Sequence, residues 1–166
     1  MQKKPAKALY TPEERVRRDQ TKWTLVQGVL APVQFLVFLV SLFLVIRFLW
    51  TGDGENAAII SIVVKTLFLY AIMITGSIWE KVVFGKYLFA PAFFWEDLFS
   101  MWVLLLHTMY LFALGFDLLN HQQLMFLALA AYAVYVVNAA QFLWKLRQAR
   151  LQEQHEQQFD LRGVAA

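Results

Sequence analysis

The chain has 166 residues, room for one domain, and 60% of them are apolar, above the roughly 45–50% usual for soluble globular chains. It has no cysteine, which excludes disulfides, thiolate metal sites, iron–sulfur clusters and a cysteine nucleophile. The formal charge of +3 is modest, so its placement carries more information than its size.

Residues 1–24 form a basic arm, in which Thr11-Pro12-Glu13-Glu14 reads as a helix start. Thr11 can cap, Pro12 is preset for the first helical position and Glu14 completes a capping box. A short charged helix is expected from Pro12 to about Lys22, ending at Trp23, an interface anchor. The first apolar run, about 25–50, exceeds the roughly 7–15 residues of a signal-peptide core and has no small-residue cleavage site after it. It reads as a membrane span. Pro32 inside it is expected either to kink the helix or to mark its true start, with 24–31 lying along the interface. Gln27, Gln34 and Ser41 recur every seven residues and form one polar seam, of the kind that usually serves as interhelical glue.

Thr51-Gly-Asp-Gly-Glu-Asn56 is a turn by composition. A second span follows at about 57–79, and then an aromatic segment, 80–97, bracketed by Glu80 and Lys81 at one end and Glu96 and Asp97 at the other. The third span, about 98–119, is separated from the fourth, about 124–144, by only Asn120–Gln123, so these two should form an antiparallel hairpin. Tyr135, Asn138 and Gln141 offer hydrogen-bond partners on the fourth. The tail, 145–166, is rich in Gln and Glu and should continue the last helix to about Phe159. Each span has the roughly 20 apolar residues a bilayer requires. The fold class is therefore all-α, a polytopic membrane protein with four transmembrane helices.

Lysine and arginine set the orientation. The arm holds Lys3, Lys4, Lys7, Arg15, Arg17, Arg18 and Lys22, the 80–97 segment holds Lys81 and Lys86, and the tail holds Lys145, Arg147, Arg150 and Arg162. Only Arg47 lies on the other side, so both termini and the 80–97 segment are expected in the cytoplasm. This accounts for the basic arm without nucleic acid, for which no binding motif is present.

Lys65 stands about 12 Å from the nearer membrane edge, where insertion of a lysine costs about 2.5–3.5 kcal/mol. It either snorkels or is neutralised by burial, or it faces the bundle interior to hold an anion or move a proton. Ser61, Ile72 and Gly76 share its face. His107 lies near mid-membrane from the other side, on the face of Glu96 and Ser100. Glu96 and His107 are about 16 Å apart, so they cannot touch. His107 is either hydrogen-bonded to a neighbouring helix, a general acid or base, or an axial ligand to a tetrapyrrole metal. Glu80, Lys81, Glu96 and Asp97 can be interface flanks, yet acidic residues contribute nothing to topology and so invite a second role.

The phrases YTPEERVRRD, VQGVLAPVQFLVFLVS and SIVVKTLFLYAIMITGSIWEKVVFGKYLFAPAFFWED together resemble the 3-vinyl bacteriochlorophyllide hydratase family, from about Tyr10 to Leu119 and more weakly through the fourth helix. The resemblance implies addition of water to the C3 vinyl group of a chlorophyllide-type magnesium tetrapyrrole, giving a 1-hydroxyethyl group that another enzyme oxidises. It implies no redox cofactor, a lipid bilayer as surroundings, an intracytoplasmic photosynthetic membrane as location and neighbouring pigment-biosynthesis enzymes as partners. Hydration needs a proton donor for the terminal carbon and a carboxylate beside the resulting cation. On those grounds Glu80 and Glu96, then Asp97, are the expected acid–base groups, with His107 as a further candidate or a magnesium ligand. Only one of the adjacent Glu96 and Asp97, about 100° apart on a helix, is expected to face the cavity fully. Lys65, Lys81 and Lys86 are candidate substrate-binding cations, and Phe93, Phe94 and Trp95, with Phe89, the aromatic surface. The alternatives are a noncatalytic tetrapyrrole carrier or assembly factor, and a small transporter using Lys65 as its coupling charge.

Overall fold

A computed structural model describes residues 9–164, without the side chains at 155–157 and 159–164. Lys3, Lys4 and Lys7, counted above for orientation, lie outside the described residues, as does the Arg162 side chain. Among the described residues every regular element is a helix: α1 (Pro12–Gln20), α2 (Lys22–Thr51), α3 (Glu55–Phe84), α4 (Phe94–Gly115) and α5 (His121–Val164).

The start of α1 is the expected capping box. The Glu14 N–H donates to Thr11 Oγ1 at 3.2 Å, and the Thr11 N–H donates to Glu14 Oε2 at 2.8 Å. Two otherwise unpaired donors are thereby satisfied. One residue, Thr21, both ends α1 and caps α2, taking the Trp23 N–H at 3.4 Å. Helix α2 then runs through Pro32 without a break. Pro32 therefore does not mark the start of the span, and 24–31 is part of the same helix. The proline lacks an N–H for the carbonyl of Gly28, one turn earlier, and a neighbouring helix or local adjustment has to make up that loss.

Gly52 and Gly54, at φ 77° and 85°, turn the chain tightly between α2 and α3, in a backbone region that side chains disfavour. The two helices pack as one antiparallel hairpin, and α4 with α5 forms a second. Helix α3 has 30 residues, about 45 Å, against a hydrocarbon core of about 30 Å. The excess carries Glu80 and Lys81 beyond the apolar stretch while they remain helical. Likewise Glu96 and Asp97 sit in the first turn of α4. The connection between them is thus only 85–93. Helix α5, 44 residues long, continues through the tail to Val164 and is longer than a bilayer core requires.

Four helices are long and apolar enough to cross a membrane. Large apolar side chains such as Leu36, Phe43, Trp50, Leu67, Trp102 and Phe126 point outward, a surface suited to lipid. Between the helices lies a core of Phe38, Val45, Ile62, Leu69, Val103, Tyr110, Met125 and Tyr132. At two of its three positions, Gln27 and Ser41, the α2 seam is interhelical glue, while Gln34 is buried with its Oε1 unpartnered. Gln27 Nε2 donates to Thr75 Oγ1 at 2.7 Å, and Ser41 Oγ meets Ser61 Oγ at 2.8 Å and the Tyr132 hydroxyl at 2.6 Å. A second, smaller core joins Tyr10, Val83, Phe93 and Ala149 at the end of the bundle where α1 lies.

Candidate active site at the α3–α4 mouth

The buried residues of α4 are Glu96, Asp97, Ser100, Val103, His107, Tyr110 and Ala113, a stripe spaced by three and four. Its outer end is acidic because two helix ends converge there. Glu80, in the last turns of α3, is 5% exposed and Asp97 4%. Their carboxyls face each other across the mouth, close enough to influence one another. Two buried carboxyls side by side resist ionising together, so the pair is suited to holding one acid beside one carboxylate.

The 85–93 connection is folded onto this pair. Gly85 ends α3 at φ 81°, and the chain returns so that Phe89 N–H donates to Asp97 Oδ2 at 2.7 Å and Ala90 N–H to Glu80 Oε2 at 3.3 Å. Phe89 itself has φ 59°, the left-handed region that a bulky side chain rarely enters. Such a conformation persists only where its surroundings enforce it, and such residues cluster at functional sites.

Sequence reasoning paired Glu80 with Glu96. The structure pairs Glu80 with Asp97 instead, because the first turn of α4 aims Asp97 at α3 and Glu96 at α5. Glu96 Oε2 accepts from Lys145 Nζ at 2.6 Å. Both acids are buried, Asp97 beside Glu80 and Glu96 turned away to Lys145. The Lys145 ammonium also lies 5.0 Å from the Phe93 ring centre. From sequence Lys145 carries only a topology charge. A signal for it existed, since Tyr135, Asn138, Gln141 and Lys145 continue one face of α5, and Asn138 Nδ2 donates to Ser100 Oγ at 2.8 Å one turn deeper.

Around the pair, Phe93 is buried among Trp79, Phe84 and Phe142, with ring centres 5.7–5.9 Å away. It is core, not contact surface. Phe89, Phe94, Trp95 and Tyr87 are exposed, and so are Lys81 and Lys86. Lys81 Nζ donates to the Gly85 carbonyl at 2.9 Å and sits 5.2 Å from the Tyr87 ring.

Lys65 and His107 form a separate centre deeper in the bundle. Both are sealed, at 0% and 1% exposure, and Lys65 Nζ is 2.9 Å from His107 Nε2. The snorkelling reading of Lys65 is thus replaced by burial. His107 Nδ1 lies 2.8 Å from the Val103 carbonyl, which can only accept, so Nδ1 carries the proton and Nε2 accepts from Lys65. Both ring nitrogens are committed, which leaves no lone pair for axial ligation of a magnesium. The Lys65 ammonium faces the rings of Tyr135, Tyr132 and Phe38 at 4.2, 5.1 and 6.0 Å. Among the described residues no group of three or more His, Asp or Glu side chains is placed to hold a metal ion. An apolar groove of about 400 Å³, lined by Met109, Phe112, Leu118 and Leu127, lies at the far end of α4 from the acidic pair and suits lipid rather than chemistry.

A family model described as 2-vinyl bacteriochlorophyllide hydratase matches residues 10–148. A protein of Rhodobacter capsulatus carrying that name is 69% identical over 150 residues, which is 90% of this chain and 87% of the relative. One of Cereibacter sphaeroides with the same name is 65% identical over 147 residues, 89% of this chain and 91% of the relative. No solved structure matches.

Proposed function

The chain belongs to the 2-vinyl bacteriochlorophyllide hydratase family, and on that premise we propose that it adds water to the C3 vinyl group of chlorophyllide a or 3-vinyl bacteriochlorophyllide. The product is the 3-(1-hydroxyethyl) pigment, and the enzyme is a hydro-lyase. The observation that carries the chemistry is the buried Glu80–Asp97 carboxyl pair.

The pair's shared proton is transferred to the terminal vinyl carbon. The π electrons form that C–H bond, and the inner carbon is left positive beside the conjugated ring. The carboxylate now left beside it stabilises that charge and takes a proton from water as the water oxygen bonds to the inner carbon. Atoms balance: one water is consumed, and the pair regains its proton. The Phe89 and Ala90 N–H groups hold the two carboxyls in register through the cycle. The substrate is flat and apolar, so the exposed rings of Phe89, Phe94 and Trp95 suit its face, and Lys81 and Lys86 suit its propionate. Glu96, neutralised by Lys145, flanks the pair without sharing its proton. Lys65 and His107 act from the interior as supports of the bundle.

The protein is a multi-pass membrane protein. We place the acidic mouth on the cytoplasmic face, since Arg15, Arg17, Arg18, Lys22, Lys81, Lys86 and Lys145 gather at that end. An intracytoplasmic photosynthetic membrane is the location that fits a pigment substrate, and the new secondary alcohol calls for a neighbouring oxidase or dehydrogenase. The test is purified protein with vinyl pigment in water enriched in oxygen-18. One labelled oxygen in a hydroxyethyl product is expected. Bound but unchanged pigment would favour a carrier instead.

A further inference from the structure

The hydration steps leave the arm unused, although its side chains reach the same end of the bundle. Tyr10 is 3% exposed, and its ring stacks on Phe84 at 5.7 Å and 13° and leans on Phe93 at 6.4 Å. Phe84 is the last residue of α3, and Phe93 immediately precedes α4. Tyr10 is therefore wedged between the two stems of the 85–93 connection. The Arg18 guanidinium covers its ring at 4.8 Å, and burial pushes the phenol up to about 12 against the lowering influence of Arg18. Tyr10 thus stays neutral at physiological pH, and its stacked ring is what it brings to the packing.

Arg17 makes the second tie. Its Nε donates to the Val83 carbonyl at 2.8 Å, three residues past Glu80 in the final turn of α3, where helix carbonyls lack an internal partner. A cation there also suits the negative end of the helix dipole. The third tie is to α5: Arg18 Nη1 donates to Glu153 Oε1 at 2.8 Å, and the Leu9 N–H donates to Gln152 Oε1 at 3.4 Å. The arm thus clamps the end of α3, both stems of the connection and the extension of α5.

We propose that Tyr10 and Arg17 are positioning residues for the hydration. They hold the 85–93 connection in the shape at which Phe89 and Ala90 keep the Glu80–Asp97 pair in contact and aimed at substrate. The role rests on the carboxyl-pair reading given under the proposed function. The left-handed Phe89 needs an enforcing environment, and the wedged Tyr10 ring with the Arg17 tie supplies it. Release of either lets the connection relax, and a displacement of about 1 Å at a reacting group can cost about a hundredfold in rate.

The experiment compares full-length wild type with Tyr10→Ala, Tyr10→Phe and Arg17→Gln, reading amide exchange across 85–93 together with kcat and KM for vinyl pigment. Tyr10→Ala should speed exchange in that segment and lower kcat about ten- to a hundredfold, with KM little changed. Tyr10→Phe, which keeps the stacked ring, should restore both. A general loss of folding would lower the amount of active protein but leave kcat per active molecule intact, and that result would overturn the proposal. So would unchanged exchange across 85–93. If Tyr10→Ala does not accumulate, Arg17→Gln carries the same two readouts with the aromatic box intact. Wild type that makes no hydroxyethyl pigment would instead overturn the hydratase reading, and the exchange data would tell that failure apart from failure of the clamp.

Discussion

At mid-bundle Lys65 gives up water for one imidazole nitrogen and three aromatic faces. Insertion of such a charge costs about 2.5–3.5 kcal/mol, and a desolvated cation–π contact returns about 2 kcal/mol or more. Removing one partner is the worse outcome, since an unpaired buried acceptor costs about 1–3 kcal/mol. Lys65→Met should therefore destabilise the protein by that order, by orphaning His107 Nε2. Lys65→Met combined with His107→Leu should recover part of the loss. Thermal inactivation in detergent measures both, and strict additivity of the two changes would contradict the pairing. The sequence places both residues near mid-membrane, and helical periodicity puts Glu96, Ser100 and His107 on one buried stripe. It could not tell that Lys65 and His107 meet. That depends on how far α3 and α4 are rotated about their own axes, which only packing decides.

Helix ends carry the chemistry at the next scale. Hydropathy stops where charges begin, so the apolar spans read as ending at 79 and beginning again at 98. Backbone hydrogen bonding does not stop there, and Glu80–Phe84 and Phe94–Asp97 are helical. The capping box of α1 was legible because its donors and acceptors are local. Its docking was not, because Tyr10 meets Phe84 and Phe93 far along the chain. That docking should depend far more on the ring than on the ion pair. Arg18 and Glu153 are a partly exposed pair, 20% and 28% accessible, of a kind worth about 0–1 kcal/mol. A buried aromatic truncated to alanine costs about 3–5 kcal/mol. Trypsin cleavage at Arg15, Arg17 and Arg18 reports the difference. Tyr10→Ala should open the arm to cleavage, and Glu153→Gln should leave it nearly as protected as wild type. The reverse order would contradict the wedge.

As a whole the molecule has two unlike ends. One gathers the basic residues, the acidic pair and the α1 clamp. The other carries Arg47 and the contact of His121 Nδ1 with Glu55 Oε1 at 2.6 Å, between the starts of α5 and α3. Reporter fusions at Asp53 and Gln122 should give the periplasm, and fusions at Gly85 and in the tail the cytoplasm. A periplasmic Gly85 would move the site to the wrong side of the membrane for the arrangement proposed here. The helical class and the spans could be read from runs of apolar residues, because lipid imposes length and composition directly. The acidic mouth could be found as a cluster. Which acid faces which could not, since adjacent positions on α4 point about 100° apart and small rotations exchange them.

That exchange makes the decisive comparison possible. Glu80→Gln, Asp97→Asn and Glu96→Gln each keep shape and remove an ionisable proton, and turnover of vinyl pigment is measured alongside pigment binding. Glu80→Gln and Asp97→Asn should each lower turnover about 10²–10⁴-fold with pigment still bound. Glu96→Gln should lower it much less, because its carboxylate is neutralised by Lys145 outside the pair. Near-normal turnover in Asp97→Asn, with Glu96→Gln inactive, would contradict the account.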